Sequence, residues 1–286
     1  MDRVLVATDF SPRSDRALRR ASLIAHKTGA SLTLVHVVDS DQPDRLIEAD
    51  RAAASAVLDE IVRTLRAEDR LEADWLVKVD DVHSGILAAG DDISADLITI
   101  GSHRSRLRDV FVGTIAERVV RQSTRPLLVA IEIPSAHHRK TLLALDFDDA
   151  SKSAGRNALA MGIFDHTHVV IMHAFDALGE GMLRRALESS EVIEDYVQME
   201  GDGAADRLRA LASELGLPPT SHSVVAVQGT PARTILESAQ QAGSDLIVLG
   251  TNQRKGFERA LVGSVTADVI RDARRDVLII PVNETD

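Results

Sequence analysis

Residues 3–40, RVLVATDFSPRSDRALRRASLIAHKTGASLTLVHVVDS, are echoed by residues 141–177, TLLALDFDDASKSAGRNALAMGIFDHTHVVIMHAFDA. Asp9 maps onto Asp146 and His36 onto His173, both at an offset of 137. A later pair, ADLITIGSHRS at 95–105 and SDLIVLGTNQR at 244–254, maps Asp96 onto Asp245 and Gly101 onto Gly250 at an offset of 149. The offset grows by 12 between these anchors, which places an insertion in the second copy near residues 176–215. The copies close with GTIAERVVRQSTRPLLVAIEIP and GSVTADVIRDARRDVLIIPVN. Self-similarity at this period predicts two domains, 1–134 and 140–286, meeting near Pro134–Lys140.

Within each copy, short Val/Leu/Ile-rich runs alternate with longer amphipathic stretches. The first copy predicts strands near 3–8, 31–38, 73–79, 95–100 and 127–132, and helices near 12–28, 43–67, 83–91 and 112–122. These strands are continuously apolar rather than alternating, as in a parallel sheet covered on both faces. Alternating β and α with right-handed crossovers specifies a doubly wound α/β domain. Ser11 before Pro12 reads as a helix start, and Gly29 in TGAS as its end. In the second copy the second helical region lengthens across about 179–215, and the GDG at 201–203 is expected to break it.

Composition removes several function classes. The chain has 286 residues, 44% hydrophobic and 27% charged, which is ordinarily globular. No apolar run approaches the roughly 20 residues needed to span a bilayer. The N-terminus enters a strand-like run without signal-peptide features, so a cytoplasmic location is the expectation. The absence of cysteine excludes disulfides, thiolate nucleophiles and Cys-based metal sites. A net charge of −11, with one Trp and one Tyr, argues against nucleic acid and anionic membranes as partners.

In a doubly wound sheet, ligands bind beyond the carboxyl ends of the strands, where strand order reverses. That rule sends Asp9 and Asp146, at the end of the first strand of each copy, to the same crevice as the loops after Gly101 and Gly250. The stretch GTNQRKGFERALVGS, 250–264, lies between an apolar strand and a helical pattern, the position at which α/β proteins hold phosphates.

These residues resemble the universal stress proteins in their tandem, two-domain form. The resemblance covers nearly the whole chain and rests on VLVATDFS, LVHVVD, DLITIGSH, GTIAERVVRQSTRPLLV and their second-copy counterparts. It implies a Rossmann-like, five-stranded parallel sheet of order 3-2-1-4-5 in each domain, and an intrachain pseudo-dimer that pairs pseudo-symmetrically through the last strands, 127–132 and 277–282, an arrangement that also covers two apolar edges. It also implies a regulatory stress-response role, with members divided into those that bind ATP and those that do not. ATP binders carry Gly-x-x-Gly-x9-Gly-Ser/Thr, an Asp after strand one near the adenosine, and a contact to adenine just after the strand-two His.

Carried over residue by residue, the second copy keeps Asp146, Ala174 after His173, Gly250, Gly263 and Ser264, with Gln253 in place of the middle glycine. Its QGTPARTIL is similar to the turn before the third helix of many members. The first copy keeps Asp9, Val37 after His36, Gly101, Gly113 and Thr114, but its loop is one residue shorter and Arg104 stands where the middle glycine would be. The implied ligand is an adenine nucleotide, ATP with Mg, bound best in the second domain. Arg254, Lys255 and Arg259 beside the second loop, and Arg104, Arg106 and Arg108 beside the first, are compatible with an anion site or with ordinary solvated charge.

Other readings stay open from the residues alone. Asp9 and Asp146 can bond ribose hydroxyls or cap the following helix; Gly101 and Gly250 can serve a phosphate or let the strand turn. His36 and His173 read as core histidines. His166 and His168 would share a face if the strand had begun there, and His137–His138 form a second pair, but neither has a third ligand to make a metal site. No hydrolase elbow, Walker loop or His-Glu-x-x-His helix is visible, so any catalysis would be at most slow ATP hydrolysis. The rival function is a nucleotide-free scaffold acting through unidentified protein partners, and the sequence leaves a further homodimer open.

Overall fold

The computed structural model describes residues 1–102, 115–186, 189–253 and 264–283. The first half runs β1 (Arg3–Ala7), α1 (Pro12–Thr28), β2 (Ser31–Asp39), α2 (Asp44–Ala67), β3 (Ala73–Asp80), α3 (Val82–Asp92), β4 (Leu97–Gly101), α4 (Ile115–Gln122) and β5 (Leu127–Ala130). The second runs β6 (Lys140–Ala144), α5 (Asp149–Ala160), β7 (His168–Phe175), α6 (Glu180–Arg185), α7 (Ser190–Glu214), β8 (His222–Gln228), α8 (Pro231–Ala242), β9 (Leu246–Gln253), α9 (Ser264–Asp272) and β10 (Asp276–Asn283).

Among the described residues, ten strands form one sheet of order β3-β2-β1-β4-β5-β10-β9-β6-β7-β8. Each half therefore has the order 3-2-1-4-5, all parallel, and the halves join through β5 and β10. That junction is antiparallel, with Val277 opposite Val129, Leu278 opposite Leu128 and Ile279 opposite Leu127. The expected pairing of the last strands is observed, and it converts two apolar edges into sheet interior. One apolar layer on each face of the sheet draws residues from both halves: Leu34, Leu97, Leu128, Ile171 and Leu278 on one side, and Leu5, Ile98, Val129, Met172 and Ile279 on the other. The continuous hydrophobicity of the strands is thus accounted for by burial on both faces.

Local signals act where the sequence places them. Ser11 caps α1, its hydroxyl accepting from the Arg13 amide, and Gly29 ends the helix at φ 73°, its amide donating to the Ala25 carbonyl. Pro231 opens α8 after Gly229, whose φ of 147° explains the glycine of that turn. Asp96 and Asp245, used above only as alignment anchors, have matching work. Asp96 accepts from the amides of Asp2 and Arg3, and Asp245 from those of Arg139 and Lys140, so each carboxylate fixes the chain entering the central strand of its half.

Three local expectations are corrected. The GDG at 201–203 does not break a helix, because α7 runs unbroken from Ser190 to Glu214 and the interruption comes earlier, after α6. Gly201 is there for packing: a Cβ would lie 3.2 Å from the Phe175 ring. Burial of Ile193, Ala204, Leu208, Leu211 and Ala212 on one face holds α7 together against its two glycines. His166 is not in the strand; it takes φ 60° in the preceding turn, and β7 begins at His168, so the two histidines share no strand face. Finally, the segment after Gly250 does not leave the sheet at once. β9 continues to Gln253 because β10 pairs alongside it as far as Asn283.

Candidate functional site

In each half the carboxyl ends of the two inner strands open into a cleft. The second-half cleft, about 310 Å³, is lined by Asp146 and Ser151 from the β6–α5 turn, His173 and Ala174 from β7, Gly250 from β9, Pro231 from α8, and Val265 and Thr266 from α9. The first-half cleft, about 470 Å³, is lined by Asp9, Arg13 and Ser14, by His36 and Val37, by Val82 and Ile86, by Gly101, and by Ile115 and Ala116. Asp146, Ala174 and Gly250 are therefore brought together, as are Asp9, Val37 and Gly101. Ser264 is exposed at the first residue of α9. Gln253 ends β9. Gly113, Thr114, Gly263 and the loop cations at 104, 106, 108, 254, 255 and 259 lie outside the described residues.

The glycines have a specific packing role. Neither Gly101 nor Gly250 takes a positive φ. A Cβ on Gly101 would stand 2.4 Å from the Arg13 carbonyl oxygen, and one on Gly250 would stand 2.7 Å from the Ala154 Cβ. Each glycine lets the helix after the first strand lie directly on the fourth, which sets the floor of its cleft.

The aspartates differ between the halves, and neither caps the next helix. Ser11 caps α1 and Asp148 caps α5. Asp9 Oδ1 accepts from the Ser11 amide at 3.1 Å and the Ser11 hydroxyl at 2.5 Å, and Arg13 stands 3.3 Å from Oδ2. Partial burial alone would raise the Asp9 carboxyl, but hydrogen bonds from Ser11, Ser14 and Arg13 outweigh it and hold the group at about 2. At Asp146 the counterpart of Arg13 is Ala150 (13 + 137 = 150), and among the described residues its basic neighbour is His173, with Nδ1 3.8 Å from Oδ1. The Asp146 side chain is 71% exposed against 56% for Asp9, and its Oδ1 accepts from the Phe147 amide.

The strand-two histidines are half-buried, and each is held through Nδ1. His36 Nδ1 lies 2.9 Å from the Thr8 carbonyl oxygen and His173 Nδ1 lies 3.0 Å from that of Leu145. A carbonyl can only accept, so Nδ1 carries the proton and Nε2 keeps its lone pair in the neutral ring. Each ring packs against the phenylalanine after the aspartate: Phe10 stacks on His36 at 4.6 Å with 20° between the planes, and Phe147 meets His173 at 4.3 Å, tilted by 48°. Sequence reasoning named the histidines but missed these phenylalanines, although both follow the mapped Asp. It also missed Arg13, Val265 and Thr266. Among the described residues, no three His, Cys, Asp or Glu side chains are grouped to hold a metal.

An open α/β sheet of order 3-2-1-4-5 in each half, with helices on both faces and a crevice at the carboxyl ends of its inner strands, defines a doubly wound protein. Comparison with known proteins gives the family. The model described as "Universal stress protein family" matches residues 1–130 and again 137–281, and the chain belongs to that family. Universal stress protein Rv2005c of Mycobacterium tuberculosis is 24% identical, with 96% of each chain covered. Universal stress protein MJ0531 of Methanocaldococcus jannaschii is 29% identical over 50% of this chain and 82% of its own. Among solved structures, a universal stress protein from Archaeoglobus fulgidus superposes with a TM-score of 0.71 at 20% identity, covering 98% of both chains, and supports the fold. No described helix is long and apolar enough to cross a membrane.

Proposed function

We propose that this is a cytoplasmic stress-response protein whose two halves, 1–134 and 140–286, each build one crevice, and that the second crevice binds an adenine nucleotide. The observation that carries this reading is the convergence of Asp146, Ala174, Gly250, Val265 and Thr266 on one cleft of about 310 Å³. Asp146 would accept from ribose hydroxyls, since its carboxylate is 71% exposed and, among the described residues, no Arg or Lys is paired with it. The Ala174 backbone would meet the base, and the free amides at the start of α9 would face phosphate. With no metal-holding group among the described residues, Mg would arrive on the nucleotide phosphates. The first crevice is the poorer site, because a ribose there must compete with Arg13 and Ser11 for Asp9. The role assigned to the crevices is sensing or storage of the nucleotide.

The test is calorimetric titration of nucleotide-stripped protein with Mg-ATP. One site is expected, weakened about tenfold by Asp146→Ala, the equivalent of one lost charge-assisted hydrogen bond. Asp9→Ala should leave that site unchanged. An absence of saturable binding at millimolar Mg-ATP would replace this reading with that of a nucleotide-free scaffold.

A further inference from the structure

The insertion in the second half leaves large apolar side chains in water. Leu178 is 80% exposed, Met182 67% and Met199 61%. Leu178 and Met199 border a groove of about 490 Å³ whose other apolar walls are Phe175 and Phe147, the latter under the Arg207 guanidinium at 3.7 Å. The loop that forms one bank is fixed rather than loose. The Tyr196 hydroxyl accepts from the Gly179 amide at 3.1 Å, and the Gln228 side chain donates to Glu180 at 2.5 Å, strapping the start of α6 to α7 and β8. Val192 and Met199, seven residues apart on α7, share one helix face with Tyr196 between them. Methionine adapts its shape to an apolar partner more readily than branched residues do.

The charge around this groove is acidic in balance. Asp176 and Glu200 line it together with Arg207. The N-terminal half of α7, residues 190–202, carries Glu191, Glu194, Asp195, Glu200 and Asp202 with no Lys or Arg. Of the nearby cations, Arg207 lies over the Phe147 ring, Arg184 pairs with Glu180, and Arg185 stands in the last turn of α6, so the five carboxylates of 190–202 outnumber them.

We propose that the groove between the 176–185 segment and α7 docks a basic amphipathic helix of a partner protein. Apolar side chains at helical spacing would fill the Leu178–Met199 groove, and lysines or arginines would meet the acidic rim. An anionic lipid surface is disfavoured by the same rim, and a second copy of this chain carries the same net charge of −11. This surface stands independently of the nucleotide reading, although the groove shares His173 and Ala174 with the neighbouring cleft.

The experiment titrates the full chain into a fluorescent Leu/Lys amphipathic peptide, with a Leu/Glu peptide of the same pattern for comparison, and reads anisotropy. Saturable one-to-one binding of the Leu/Lys peptide is expected, weakened about tenfold by Leu178→Ser with Met199→Ser, as for loss of a central apolar anchor. Glu200→Lys should weaken it too, and raised salt should do the same, whereas Val57→Ser on α2 should leave it unchanged. The altered residues are exposed, and an unchanged circular dichroism spectrum checks folding. Equal binding of the two peptides, no saturation, or indifference to both sets of substitutions overturns the proposal. So does a dimer in sedimentation that the double serine variant dissociates, since a second copy would then occupy the groove.

Discussion

At the scale of single residues, Gly101 and Gly250 are the most constrained positions of the two clefts. Both stand where a helix lies against the fourth strand of its half, and both exclude a methyl group for steric rather than dihedral reasons. Gly101→Ala would drive a Cβ into the Arg13 carbonyl, part of the α1 backbone, so the whole helix start must move. Gly250→Ala meets only the Ala154 methyl. We expect Gly250→Ala to cost about 1–3 kcal/mol, the range for overpacking, and Gly101→Ala to cost more. Urea unfolding of the two variants checks the order; equal stability to the parent chain would show that the helices yield freely. The sequence marked both glycines as site residues, but the reason, helix against strand, is visible only once α1 and α5 are seen on the sheet.

At the scale of elements, α7 shows why a breaker signal failed. Two glycines and an aspartate in succession predict a break, because each glycine lowers helix stability by about 1 kcal/mol relative to alanine. Tertiary packing overrides that local preference along the buried face of α7. The two glycines are not equivalent. A Cβ at Gly203 meets nothing within 4 Å, whereas one at Gly201 lies 3.2 Å from Phe175. Gly203→Ala should therefore raise stability by about 0.5–1 kcal/mol. Gly201→Ala should give no such gain, and thermal unfolding separates the two. A loss of stability at Gly203 would mean that α7 needs the flexibility that the local geometry does not require.

At the scale of the whole molecule, the two halves are locked by a buried carboxylate at the start of β10. Asp276 is fully buried. Its Oδ1 accepts from the amides of Ile131 and Glu132, and its Oδ2 from Arg20 Nε at 2.6 Å, with His138 Nε2 at 3.1 Å. Arg20, itself buried on α1, also donates to the Ala136 carbonyl, so one cluster ties the first half, the connecting segment 131–139 and the second half. Burial alone would raise the Asp276 carboxyl, but bonds and charge from His138 and Arg20 and the Ile131 amide hold it below its ordinary 3.8. A carboxyl depressed in the folded state adds stability above its unfolded value, and that stability is lost as pH falls below about 3.8 toward the folded value. Asp276→Ala strands Arg20 without its counter-charge and should cost about 3–5 kcal/mol near neutral pH. The decline in stability as pH falls below about 3.8 should be shallower in Asp276→Asn than in the parent chain. An equally steep decline in both would assign the acid sensitivity to other carboxylates.

The sequence by itself determined the repeat, the alternation of strand and helix, the strand order through its resemblance to a known family, and the pairing of the last strands. The repeat and the alternation follow from periodic burial, which is written in the order of residue types, whereas the strand order and the pairing of the last strands came from the resemblance, the pairing being one that also covers two apolar edges. It also placed Asp9, Asp146, Gly101 and Gly250 at the ends of the right strands. Tertiary structure alone decided what those residues touch. Arg13 reaches Asp9 while Ala150 leaves Asp146 open, a difference of one side chain that matters only because both lie on the first turn of a helix facing the cleft. Asp276 and Arg20, 256 positions apart, give no local signal of their union. Only the joining of the two sheets brings them into a space without water, where each charge requires the other.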